Sequence, residues 1–171
     1  MGERLIVDGY NVIFDWAETS DELKKNGMES ARYRLINILI NHAALTGIDT
    51  TVVFDAAKTK DSQHEVENTF GLKVIYTVEG ETADNLIEKL SKELSRLDTV
   101  YVATSDWLEQ RIILGQGAFR LTPKELLSWV ESVKKESESH YMSGTPVDGY
   151  LEKNLNENIR LILEKWRRKS S

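Results

Sequence analysis

The sequence predicts an α/β domain with helices on both faces of a mostly parallel sheet. Three observations carry this expectation. Short apolar runs alternate with longer segments of helical periodicity, an order that builds a doubly wound sheet. The apolar runs end in turn formers or in an aspartate, as such strands do where they meet their loops. A length of 171 residues with 40% hydrophobic content suits one ordinary core, with room for an appended helix.

Leu5-Ile6-Val7 is a buried-strand run that stops in the turn formers Asp8-Gly9-Tyr10-Asn11, and Thr51-Val52-Val53-Phe54 stops in the same way at Asp55. Between them, Ser30 to Thr46 is apolar at Ala31, Leu35, Ile38, Leu39 and Leu45, polar at Arg34, Asn37 and Asn41, and closed by Gly47. This is one βαβ unit. It repeats as a strand from Lys73 to Thr77, a helix from Thr82 to Ser95 with the stripe Ala83, Ile87, Leu90 and Leu94, a strand from Thr99 to Ala103 and a helix from Asp106 to Leu114. A short strand at Ala118 to Leu121 leads to Thr122-Pro123-Lys124-Glu125, where a cap threonine, a first-turn proline and a glutamate three residues after the cap start a helix to about Glu138. Residues 1–138 are therefore the expected domain. In 139–171, Ser139 to Pro146 is a connector and Leu151, Leu155, Ile159, Ile162 and Trp166 mark an amphipathic C-terminal helix.

With no cysteine, there is neither a disulfide framework nor a thiolate ligand or nucleophile, which fits a reducing compartment, and the cytoplasm is the expected location. The N-terminal residues lead straight into a short strand unlike a signal peptide, and no apolar run approaches membrane-spanning length, so no membrane partner is expected. The formal net charge is -6, and its distribution is uneven. From Pro146 to Ser171, six basic residues (Lys153, Arg160, Lys165, Arg167, Arg168, Lys169) face four acidic ones (Asp148, Glu152, Glu157, Glu164), so the other 145 residues carry -8. A body this acidic holds a polyanion only with metal ions, a local basic loop or a larger partner.

In an open parallel sheet the carboxyl ends of the strands share one edge, and ligands bind there. Asp8 and Asp55 follow the first two strands, while Asp84 and Asp106 open the helices after the next two. Asn11 stands three residues after Asp8, and Glu88 shares the helix face of Asp84 at i, i+4 spacing. Each aspartate taken alone suits a cap or a turn. Together they exceed the capping requirement, because Thr82 and either Thr104 or Ser105 are available as caps. Surplus carboxylates on one edge repel unless a cation lies between them, and oxygen ligands without His or Cys select Mg²⁺ or Mn²⁺. Such a site suits phosphodiester hydrolysis, with ions that activate water, bind the phosphate and stabilise the leaving oxygen.

Other chemistries lack their motifs. There is no G-x-x-x-x-G-K-[ST] or G-x-G-x-x-G, so no nucleotide cofactor is expected, and no serine lies in a G-x-S-x-G elbow. A dehalogenase-like phosphatase needs a second aspartate where Tyr10 stands. His42, His64 and His140 are scattered and suit packing or surface roles.

At Val7-Asp8-Gly9-Tyr10-Asn11, Val53-Phe54-Asp55-Ala56, Gly80-Glu81-Thr82-Ala83-Asp84 and Thr104-Ser105-Asp106, the chain resembles the YacP-like branch of NYN domains, which are PIN-like nucleases. Four motifs in order over nearly the whole chain make the resemblance specific. It implies a three-layer PIN-like fold and metal-dependent RNA cleavage, with Asp8, Asp84 and Asp106 as the metal-binding catalytic acids and Asn11 and Asp55 in support. PIN-like nucleases often carry a fourth acid shortly after the third; here the place two residues on is Leu108, and Glu109 is a candidate substitute. Within the branch the resemblance points to a ribosome-associated endoribonuclease that cuts mRNA in the ribosomal A site, and delivery by the ribosome would answer the charge problem. Lys58 and Lys60, in the polar segment Ala56 to Glu65 beside the acidic edge, are candidate RNA contacts, and a solvated loop with incidental lysines is the alternative. The alternatives are a non-catalytic ribosome- or RNA-binding module of the same fold, and a small-molecule phosphatase or receiver-like domain. A receiver would carry a lysine where Arg120 and Leu121 stand.

Overall fold

The computed structural model describes residues 2–55 and 66–142. Its elements run β1 (Glu3–Asp8), α1 (Gly9–Asp15), α2 (Ala17–Asn26), α3 (Met28–Thr46), β2 (Asp49–Phe54), β3 (Val66–Thr69), β4 (Leu72–Tyr76), α4 (Ala83–Leu94), β5 (Thr99–Ala103), α5 (Trp107–Gly115), β6 (Phe119–Leu121) and α6 (Pro123–Met142). One six-stranded sheet has the order β3-β4-β2-β1-β5-β6. The pairings β1–β2, β1–β5, β2–β4 and β5–β6 are parallel, and among the described residues only the edge strand β3 is antiparallel.

Alternation along each strand divides the core between two faces. Leu5 and Val7, Val52 and Phe54, and Leu72 and Val74 pack with Val12, Ile13, Trp16, Leu35, Leu39, Leu126 and Val130 from α1, α3, α6 and the turn after α1. Ile6, Val53, Ile75, Val100 and Val102 face the other way, onto Ala83, Leu86, Ile87 and Ile113 of α4 and α5. Helices therefore lie on both faces of a largely parallel sheet, as expected.

Several boundaries differ from the sequence expectation. Asp8-Gly9-Tyr10-Asn11 is not simply a turn, since α1 begins at Gly9. A Cβ on Gly9 would lie 2.3 Å from the ring of Phe54, a fully buried side chain packed between Tyr10 and Tyr76. The glycine lets the chain turn into α1 against that ring. Helices α1 and α2 and the antiparallel β3 do not follow from the sequence pattern, because their apolar positions are few and short of a full periodic stripe. The break between α1 and α2 is fixed by Trp16, whose buried Nε1 donates to the Pro123 carbonyl at 2.7 Å and so ties it to α6. The capping box at Thr122 forms in both directions, Glu125 N–H to Thr122 Oγ1 at 3.1 Å and Thr122 N–H to Glu125 Oε2 at 2.8 Å. Helix α6 then continues past Glu138 into the expected connector, as far as Met142. The rest of that connector, the C-terminal helix and Lys58, Lys60 and His64 lie outside the described residues. No helix among the described residues is long and apolar enough to cross a membrane.

Candidate metal centre

The parallel pairings carry the ends of β1, β2 and β5 to one edge: Asp8 is opposite Val53, two residues before Asp55, and Val7 is opposite Ala103, just before Thr104. Asp8 is the last residue of β1 and is 3% exposed. It occupies the position that precedes α1, yet its carboxylate does not cap that helix. Asp84 is in the first turn of α4, whose cap is Thr82, with Asn85 N–H bonded to Thr82 Oγ1 at 3.2 Å. Both acids are surplus to capping, as expected.

Asp106 is not surplus. It caps α5 itself, its Oδ1 accepting from Leu108 N–H at 2.9 Å and Glu109 N–H at 3.4 Å, while its own N–H bonds to Thr104 Oγ1 at 3.1 Å. The expectation that Thr104 or Ser105 would cap this helix is thus corrected. Thr104 instead holds Glu109, its hydroxyl donating to Glu109 Oε2 at 2.6 Å in a buried contact. Both capping bonds of Asp106 use Oδ1, so Oδ2 is the oxygen it can offer elsewhere.

One oxygen from each of Asp8, Asp84 and Glu109 lies within 4.8 Å of the other two. Sequence-predicted Asp8 and Asp84 are therefore brought together, and the third member of the group is Glu109. Asp106 and Asp55 stand close enough for their charges to act on Asp84. Asn11 joins the same edge, its Oδ1 accepting the Ser105 hydroxyl. Glu88, one turn beyond Asp84 on α4, is not a member of the three-acid group.

Glu109 sits on the buried stripe of α5 with Gln110 and Ile113. That placement is the signal the sequence offered: a carboxylate four residues before Ile113, on the inward face of a short helix. Burial pushes its carboxyl up to about 8; the Thr104 hydrogen bond opposes this, and the charges of Asp8 and Asp84 reinforce it. The Asp84 carboxyl is also raised, by burial first and by Asp106 next. Glu109 Oε1 is buried, and a side-chain hydrogen bond links the Glu109 and Asp84 carboxyls. Such a cluster is relieved by a shared proton or by a cation.

The donor set fits a hard divalent cation. Oxygens about 2.1 Å from Mg²⁺ in an octahedral shell lie about 3 to 4 Å from one another, so oxygens within 4.8 Å need only close slightly. Among the described residues no His or Cys joins the group, and carboxylate oxygen favours Mg²⁺ or Mn²⁺ over softer metals.

Comparison with known families agrees with this architecture. The model of the YacP-like NYN domain matches residues 5–168. The chain belongs to the YacP-like NYN family. The uncharacterized protein YacP of Bacillus subtilis (strain 168) is 41% identical over 165 residues, 96% of each chain. The crystal structure of Rae1 (YacP) from Bacillus subtilis superposes with a TM-score of 0.69 at 37% identity, over 96% of this chain and 94% of that one. A mutant of the same protein gives 0.71 at 38%, over 97% and 96%. Family membership bears out the mixed α/β fold and supports a nuclease-type function.

Proposed function

We propose that the chain is a metal-dependent endoribonuclease that hydrolyses phosphodiester bonds of mRNA on the translating ribosome, in the cytoplasm. The observation that carries this reading is the convergence of Asp8, Asp84 and Glu109 at the carboxyl edge of the sheet, with Asp106 and Asp55 acting on the same group. Asp8, Asp84 and Glu109 would hold Mg²⁺ or Mn²⁺, and Asp106 would support them with the oxygen its cap leaves free. The bound ion supplies an activated water and charge stabilisation at the scissile phosphate. Thr104 orients Glu109, and Ser105 orients Asn11, which with Asp55 lines the approach. Glu88, outside the three-acid group, is left without a role in this reading. Lys58 and Lys60, which follow Asp55 closely in the chain, are proposed to contact RNA.

The ribosome enters through electrostatics. A body of -8 must approach a polyanion against its own field, and a few local cations act only over about 8 Å at physiological salt. A larger carrier removes that barrier. The test is cleavage of ribosome-bound message and of free RNA with Mg²⁺, with Mn²⁺ and with chelator, together with co-sedimentation with ribosomes. The expected outcome is divalent-dependent cleavage that is strong on translated message and weak on short free RNA. Efficient cutting of free oligonucleotides without ribosome association would remove the ribosome from the account, and cleavage in chelator would remove the metal.

A further inference from the structure

We propose that Trp107 and Arg111 form a stacking platform for a nucleobase of single-stranded RNA, adjoining the acidic site and seating a nucleotide that flanks the scissile phosphate. The proposal rests on the nuclease reading above and adds the means by which an acidic enzyme grips its substrate locally.

Trp107 is the first residue of α5 and directly follows Asp106, so its Cα is about 3.8 Å from that of an acid at the site. It is 62% exposed, although tryptophan is ordinarily well buried. One turn on, the Arg111 guanidinium carbon lies 4.9 Å from the centroid of the indole ring, a cation–π arrangement that steadies both side chains. Arg111 has no carboxylate partner among the described residues. Leu108 and Ile112 extend the exposed side of the same helix.

A lone exposed apolar residue needs no explanation. A tryptophan, a guanidinium and two aliphatic side chains together on one exposed stretch of helix, starting at a candidate metal site, form a patch of the kind that marks a ligand surface. The chemistry selects the ligand. A flat ring with a cation against it accepts a second flat partner and offers a positive charge to the phosphate that accompanies it. A nucleobase in a single strand has both features, whereas a paired base in a duplex does not present its face. Stacking of this kind tolerates every base, so the platform positions the strand without reading its sequence.

The test uses the full chain with Mn²⁺ and a single-stranded oligoribonucleotide, under single-turnover conditions with enzyme in excess so that weak cleavage is still measured. Trp107→Ala should slow cleavage about tenfold to a hundredfold, the range that loss of one base–aromatic stack gives. Trp107→Phe should recover most of it, and circular dichroism should show both variants folded. Oligonucleotides carrying a single abasic ribonucleotide, moved along the strand, add a readout that a merely structural tryptophan would not move. At one position the missing base should slow the wild type by the same factor and leave Trp107→Ala no slower. Equal abasic penalties in wild type and variant, or unimpaired cleavage by Trp107→Ala, would overturn the platform and leave the nuclease reading standing. Unimpaired cleavage combined with lost ribosome co-sedimentation would reassign the patch to a ribosomal partner. Absence of Mn²⁺-dependent cleavage of either free or ribosome-bound RNA by the wild type would bring down the nuclease reading, and the platform with it.

Discussion

At the amino end of the sheet, Arg4 of β1 sits between two aspartates. It pairs with Asp49 at the start of β2, and its Nε donates to Asp98 Oδ2 at 2.9 Å. The Gly2 N–H adds a bond to Asp98 Oδ1 at 2.9 Å, and that bond first, with Arg4 second, holds the Asp98 carboxyl below its usual value. At the carboxyl end, Asp84, Asp106 and Glu109 have no ion pair among the described residues, and the carboxyls of Asp84 and Glu109 move upward. The same residue type thus helps to join strands at one end and stores repulsion at the other. If the acids at the carboxyl end serve binding, as proposed, their energetic signature should have the opposite sign to that of the acids that pair with Arg4.

The largest expected effect comes from breaking the carboxyl end. Asp8→Asn removes the charge of a proposed ligand with almost no change in volume and should lower divalent-dependent RNA cleavage by at least about a hundredfold while the fold persists. Steady-state cleavage assays beside thermal melts check this, and near-normal activity would take Asp8 out of the site.

The pH dependence of the metal-free protein sharpens the comparison. Glu109 moves from 4.5 to about 8 on folding, so the folded chain keeps a proton that the unfolded chain has released. Its contribution is full below the unfolded value and is lost as pH rises through about 8. Asp98, whose carboxyl is lowered, behaves in reverse: its contribution is present above 3.8 and is lost as pH falls through its folded value. Denaturant melts between about pH 5 and about pH 8.5 should show falling stability in the wild type and a flatter profile in Glu109→Gln, which keeps an acceptor for Thr104. An unchanged slope in the variant would place its origin elsewhere.

The smallest effect belongs to the amino end. Arg4→Ala breaks both ion pairs, but these are partly exposed, and the melting temperature should fall by no more than about 2–4 °C with cleavage unchanged. A loss of cleavage at unaltered stability would show that the two ends are coupled.

Much of this contrast was legible in the sequence. Strand runs that stop at aspartates place acids on one edge, and Thr82 at cap spacing before α4 identifies Asp84 as surplus. Asp106 was harder, because sequence does not show which of Thr104, Ser105 and Asp106 takes the cap; the choice depends on Thr104 being turned toward buried Glu109. Glu109 was visible as a substitute for a family acid and as a carboxylate on the inward face of α5, but Asp8 and Asp84, which it joins, come from β1 and α4, and local periodicity does not bring those elements together. The pairing of Arg4 with Asp98 crosses 94 residues and follows from strand order, which local periodicity does not fix.

The measurement that tests the central claim most directly is the thermal unfolding of wild type and Asp84→Asn, each with and without Mn²⁺. If Asp84 is a cation ligand surplus to stability, neutralising it should leave the metal-free melting temperature level or higher, because like-charge repulsion falls and Thr82 still caps α4. The rise that Mn²⁺ gives the wild type should then be largely lost in the variant. A metal-free fall of the size of a lost helix cap, about 1 kcal/mol, or a Mn²⁺ rise that survives the substitution, would contradict the account.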